Sequence, residues 1–99
     1  MLFIINNKKY DTENMTHVAS VKKWYEYTGW LEIQMFGKGI GRNYDCELYR
    51  SNKGSWLLTH SKGDGYTQAE LISEAEAKEL LMHYDYPAYV SMFGELEEG

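Results

Sequence analysis

From Tyr44 to Leu48 the chain alternates apolar and polar residues, and across the connector Asn52-Lys53-Gly54 it continues as the apolar-rich run Ser55 to His60. No other stretch restricts the fold as tightly. Period-two alternation marks a strand with one face buried. A short polar connector ending in glycine suits a type I turn closed by a left-handed residue. Tyr44 to Arg50 and Ser55 to His60 are therefore expected to form a hairpin in which Ser51 pairs with Ser55. In that register Leu48 faces Leu58, Arg50 faces Trp56, and Cys46 faces His60. One face carries Tyr44, Cys46, Leu48, Trp56, Leu58 and His60. The other carries Asp45, Glu47, Tyr49, Leu57 and Thr59.

The flanking sequence supplies further elements. Residues 2 to 11 read as a second hairpin, with Leu2 to Ile5 rich in β-formers and Asn6-Asn7-Lys8 prone to turn. Asp11-Thr12 can cap a helix, and Met15, Val18 and Ala19 fall on one helical face, predicting a short helix that ends between Ser20 and Lys23. Trp24 to Phe36 reads as strand, broken at Thr28-Gly29, because Leu31, Ile33 and Met35 alternate with Glu32 and Gln34. Gly37 to Gly41 and Ser61 to Gly65 read as loops, and Ala69 to Ile72 as a short edge strand. Ser73-Glu74-Ala75-Glu76 is a capping box, after which Ala77, Leu80, Leu81 and Tyr84 form one apolar stripe. Pro87 suits the first turn of a last short helix, through Phe93, that Gly94 ends. The chain shows no internal repeat and no linker. The expectation is one α+β domain spanning residues 1–99: an antiparallel β-sheet with a short helix in the N-terminal half and a longer C-terminal helix packed on it.

At 99 residues with 43% apolar and 15% aromatic content, the chain can bury a core without staples. Cys46 is the single cysteine, which excludes an internal disulfide and suits a reducing compartment. The N-terminus lacks the pattern of a signal peptide, and no stretch reaches the roughly 18 apolar residues of a membrane span. These readings predict a cytoplasmic protein with no membrane partner. The net charge of −5 disfavours direct contact with nucleic acid and permits a basic protein partner.

The residues carry no catalytic signature: G-x-S-x-G, H-E-x-x-H and C-x-x-C do not occur. Gly37-x-Gly39-x-Gly41 lacks the Lys-Ser/Thr of a phosphate loop and sits between antiparallel strands, so it reads as a hairpin loop. The chain is expected not to be an enzyme and to require no cofactor. Cys46 and His60 face each other with β-carbons roughly 5 Å apart. A thiolate and an imidazole so placed can share a structural zinc ion, with His17 and His83, or Asp11 and Asp85, completing the shell. The alternative is that Cys46 is a small core residue and His60 a polar residue at the sheet end. The many tyrosines exceed what a small core buries, so aromatic rings beside carboxylates, among them Glu32, Asp45, Glu47 and Tyr49, are candidates for a protein-binding face.

Three pieces carry a family resemblance: Tyr10-Asp11-Thr12-Glu13, Glu47-Leu48-Tyr49-Arg50 with Lys53-Gly54-Ser55-Trp56-Leu57-Leu58, and Ser73-Glu74-Ala75-Glu76-Ala77. With them the layout resembles small proteins of phages and mobile elements in Gram-positive bacteria, among which are anti-CRISPR inhibitors of type II RNA-guided nucleases. The resemblance implies a phage-encoded monomer or weak dimer in the bacterial host cell. Such a protein would dock on the nuclease and block DNA loading or guide assembly. Gly29 to Arg42 lies outside the matching pieces, which leaves room there for a partner-specific surface. A small antitoxin-like or regulatory protein that binds another host or phage protein is the alternative.

Overall fold

The computed structural model describes residues 1–61 and 65–99, so most of the loop expected at Ser61 to Gly65 lies outside the described residues. The chain is α+β. β1 (Leu2–Ile5) and β2 (Lys8–Asp11) form a two-stranded sheet, while β3 (Thr16–Glu26), β4 (Gly41–Arg50), β5 (Trp56–Ser61) and β6 (Thr67–Ile72) form an antiparallel sheet in that order. Three helices complete the described elements: α1 (Trp30–Phe36), α2 (Glu74–Tyr84) and α3 (Tyr86–Phe93).

The central hairpin has the expected register, with Cys46 opposite His60, Leu48 opposite Leu58 and Arg50 opposite Trp56. Its turn closes through Ser51 N–H to Ser55 O at 2.9 Å, with Gly54 at φ 87°, where a side chain would be strained. The first hairpin turns on Asn6 and Asn7, both at positive φ, as a two-residue turn of matching twist requires. Ser73 Oγ accepts from Glu76 N–H at 3.1 Å, and Asp85 Oδ1 accepts from Ala88 N–H at 3.2 Å, which caps α2 and α3.

Two expected elements change type. The helix over Met15 to Lys23 is instead strand β3. Asp11 does act as a cap, accepting from Glu13 N–H at 3.1 Å, but only for the single 3₁₀ turn Thr12–Asn14. The strand carries a bulge between His17 and Ala19 that breaks its alternation and leaves apolar residues at helix-like spacing. The strand expected over Trp24 to Phe36 ends at Glu26, and Trp30–Phe36 is helix α1. Leu, Glu, Gln and Met favour helix, and the glycines at 29 and 37 bound it, with Gly37 N–H bonded to Ile33 O at 2.7 Å. Over so few residues, alternation alone cannot separate the two states.

α2 and α3 cover one face of the larger sheet. Ala19, Val21, Tyr44, Cys46, Leu48, Trp56 and Leu58 meet Ala77, Leu81 and Tyr89 there. Leu48, Leu58 and Leu81 are fully buried, each contributing about 1.5–3 kcal/mol of burial. On the opposite face Leu57 is also fully buried, between Tyr49 of β4 and Leu71 of β6. Past the Val21–Cys46 pair, β3 and β4 run on without β5 as a two-stranded ribbon to Glu26 and Gly41. α1 sits at the far end of that ribbon. The ribbon closes tightly on itself: a β-carbon at Gly41 would lie 2.1 Å from Tyr25 O.

Candidate protein-binding surface

α1 has the sequence Trp-Leu-Glu-Ile-Gln-Met-Phe, and none of its residues is buried. At 100° per residue, Trp30, Leu31 and Met35 lie on one side and Ile33 and Phe36 on the other. Phe36 rests against Tyr27 with ring centroids 5.4 Å apart, which ties the helix to the ribbon. The outward side meets nothing: Trp30 is 72% exposed and Met35 71%. Leu31, Phe36 and Ile40 are exposed as well, so the tip shows roughly 500 Å² of apolar side chain. A helix this rich in apolar residues is stable when covered, and among the described residues nothing buries it.

The outer face of β4 presents Asp45, Glu47 and Tyr49 in line, as the alternation predicts. Glu47 is already engaged: it accepts from Ser20 Oγ at 2.7 Å and lies 2.5 Å from His17 Nε2. Tyr49 meets the His17 ring edge-on at 5.3 Å. Asp45 projects into solvent with Lys22 at 3.7 Å, an exposed pair of small energetic value. Glu32 stands apart from these three, on the first turn of α1. Four of the residues the sequence singled out thus fall on two surfaces. The apolar tip residues beside Glu32 lie in the Gly29 to Arg42 stretch left open for a partner-specific surface, but they were not singled out because a strand assignment turns half of them inward. The signal that distinguishes them is a seven-residue run framed by glycines in which five residues are apolar, too many for an exposed helix.

Cys46 and His60 are neighbours as expected, and both are buried, at 1% and 5% exposure. Tyr25 stacks on the His60 ring at 4.2 Å, and Tyr44 closes its other approach at 5.2 Å. The Tyr25 hydroxyl donates to Glu70 Oε1 at 2.5 Å, and Lys23 Nζ bonds the same oxygen at 2.9 Å and Glu76 Oε2 at 2.7 Å. These contacts require the ribbon to curl over the helix-bearing face, as strongly twisted two-stranded ribbons do.

The protonation states of this cluster are held in their resting forms. Burial pushes the Cys46 thiol up to about 11, against the smaller pull of Lys23 and Tyr25. Burial and the bond to Glu70 raise the Tyr25 phenol. Burial works to lower Lys23 and to raise Glu70, but their mutual hydrogen bonds, with Glu76 and Tyr25, outweigh it and drive both the other way. A thiol, a phenol, an ammonium and a carboxylate so stabilised make a hydrogen-bonded packing network.

The zinc shell drawn from the sequence is not assembled. His17 lies on the opposite face of the sheet with Glu47, and His83 is exposed on α2 against the Tyr84 ring. Asp11 and Asp85 serve as caps. Among the described residues no three His, Cys, Asp or Glu side chains are grouped to hold a metal ion. Among the same residues no helix is long and apolar enough to cross a membrane.

No protein-family model, curated protein or solved structure matches the chain.

Proposed function

We propose that the chain acts by binding a protein partner through the apolar tip formed by α1. The observation that carries this reading is that five of the seven α1 residues are apolar and none of them is buried. Helix-in-groove recognition uses such a segment, and tryptophan is enriched among the residues that dominate binding energy. The family resemblance supplies the partner class: a type II RNA-guided nuclease in the bacterial cytoplasm, which makes the chain an anti-CRISPR inhibitor. The line of Asp45 and Glu47 supports that class, since a nuclease of this type keeps a positive channel for its heteroduplex.

A DNA-cleavage assay with the nuclease, its guide and the purified chain tests this function. Added chain is expected to suppress cleavage, and Trp30→Ser is expected to restore it. Cleavage that proceeds unaffected at saturating chain removes the nuclease as partner. Capture of a different host or phage protein that is lost in Trp30→Ser would then place the chain in the antitoxin-like or regulatory class.

A further inference from the structure

A cleft of about 920 Å³ lies between the first hairpin and the β4–β5 turn, away from the tip and the His60 cluster. Lys8, Lys9 and Tyr10 of β2 line one side, and Asn52 and Lys53 of the turn line the other. Two properties make it a candidate site. First, its cations outnumber its one carboxylate: Lys8, Lys9 and Lys53 line it and, like Lys38 and Lys78 elsewhere, form no ion pair among the described residues. The carboxylate in the cleft, Asp11, is spoken for. It accepts from Glu13 N–H, and its Oδ1 lies 3.6 Å from the N-terminal ammonium, which offsets its charge. Second, the rest of the lining suits a base. Tyr10 is partly buried and stacks on no other ring among the described residues, Asn52 offers an amide donor and acceptor, and the Asn14 amide, which donates to Asp11 Oδ2 at 3.5 Å, keeps its carbonyl oxygen as an acceptor.

We infer that this cleft binds a nucleotide, with its phosphates on Lys8, Lys9 and Lys53 and its base against Tyr10. Lysines that outnumber the carboxylates of a concave site give it a positive field that attracts anions, whatever the net charge of the chain. An aromatic ring beside a positive groove is the usual arrangement for holding a base and its backbone. The cleft volume lies at the upper end of the range for small-ligand sites, roughly 300–1,000 Å³. The nucleotide may arrive in two forms, free or as part of a single strand, and both present the same chemistry.

Titration of the full chain with ADP, with pyrophosphate and with a short single-stranded oligonucleotide tests the inference, read by calorimetry and amide chemical shifts. Saturable binding is expected, with shifts concentrated at Lys8 to Tyr10 and Asn52 to Gly54. The exposed lysines permit a fold-neutral variant, Lys8→Glu/Lys9→Glu/Lys53→Glu, checked by circular dichroism. It should bind at least about tenfold more weakly, as loss of phosphate contacts predicts. Lys38→Glu, which lies outside the cleft, should change affinity less than about twofold. ADP binding as tight as the oligonucleotide's points to a free nucleotide, and a tighter oligonucleotide to a strand; either supports the site. The inference is overturned by no saturable binding, by full affinity in the triple variant, by pyrophosphate binding as well as ADP, or by a poly-glutamate peptide binding more tightly than either nucleotide ligand.

Discussion

At the scale of single residues, the molecule concentrates its chemistry in the Lys23–Tyr25–Glu70–Glu76 network and in the thiol beside it. Its protonation gives stability a defined pH window. Cys46, Tyr25 and Lys23 are raised in the folded chain, so their contributions are complete below the ordinary thiol value of 9.0 and fade as the pH climbs through the folded values. Glu70 is lowered, so its contribution is present above the ordinary 4.5 and fades as the pH falls below it. This network should therefore lower the urea midpoint above the upper limit and below the lower one. Tyr25→Phe removes one hydrogen bond to a charged acceptor and should cost about 1.5–3 kcal/mol at neutral pH, with a shallower alkaline decline. A variant as stable as the parent would show that the phenol–carboxylate contact contributes nothing. The Cys46–His60 juxtaposition was legible in the sequence because strand register is local arithmetic. The Tyr25 ring on His60 was not, because it depends on how far the ribbon curls.

At the scale of elements, the sequence was readable where several local signals agreed. The Asn52-Lys53-Gly54 turn, the Ser73 cap with Glu76 and the Pro87 start all coincide with the structure, since each joins a turn or cap residue to a periodic pattern. Between Met15 and Phe36 the signals conflicted: the expected helix is strand, and the expected strand holds from Trp24 to Glu26 but is helix over Trp30–Phe36. A bulge gave β3 a helix-like spacing, and a seven-residue helix gave a strand-like one. Two substitutions test the elements directly. Ser73→Ala should cost about 1 kcal/mol through loss of the α2 cap. Gly41→Ala should cost about 2 kcal/mol or more, because its β-carbon would meet backbone at Tyr25 and Glu26 where the ribbon cannot give way. Thermal melts of both variants would read these costs, and an unchanged Gly41→Ala midpoint would mean that the ribbon opens more easily than its contacts imply.

At the scale of the whole molecule, net charge and total composition conceal an uneven surface. A chain of −5 carries a cleft of unpaired lysines on one side and an apolar helix at the end of a ribbon on another. The helical face of the sheet is closed by α2 and α3, so the core needs nothing from α1. That division predicts that tip substitutions leave folding intact. It also predicts that binding through the tip resists salt, since apolar contact is not screened, while any contribution of Asp45 and Glu47 fades as salt rises. Leu58→Ala, in contrast, belongs to the core and should cost about 2–5 kcal/mol without touching the binding surface.

The central claim is that α1 is the contact element. Its most direct test is the affinity of the nuclease–guide complex for the chain and for Trp30→Ser/Leu31→Ser/Met35→Ser, measured by calorimetry alongside the thermal midpoint of each free chain. The account predicts unchanged midpoints and at least about a hundredfold loss of affinity, as removal of dominant interface residues produces. Tight binding by the parent that survives undiminished in the triple variant would contradict it.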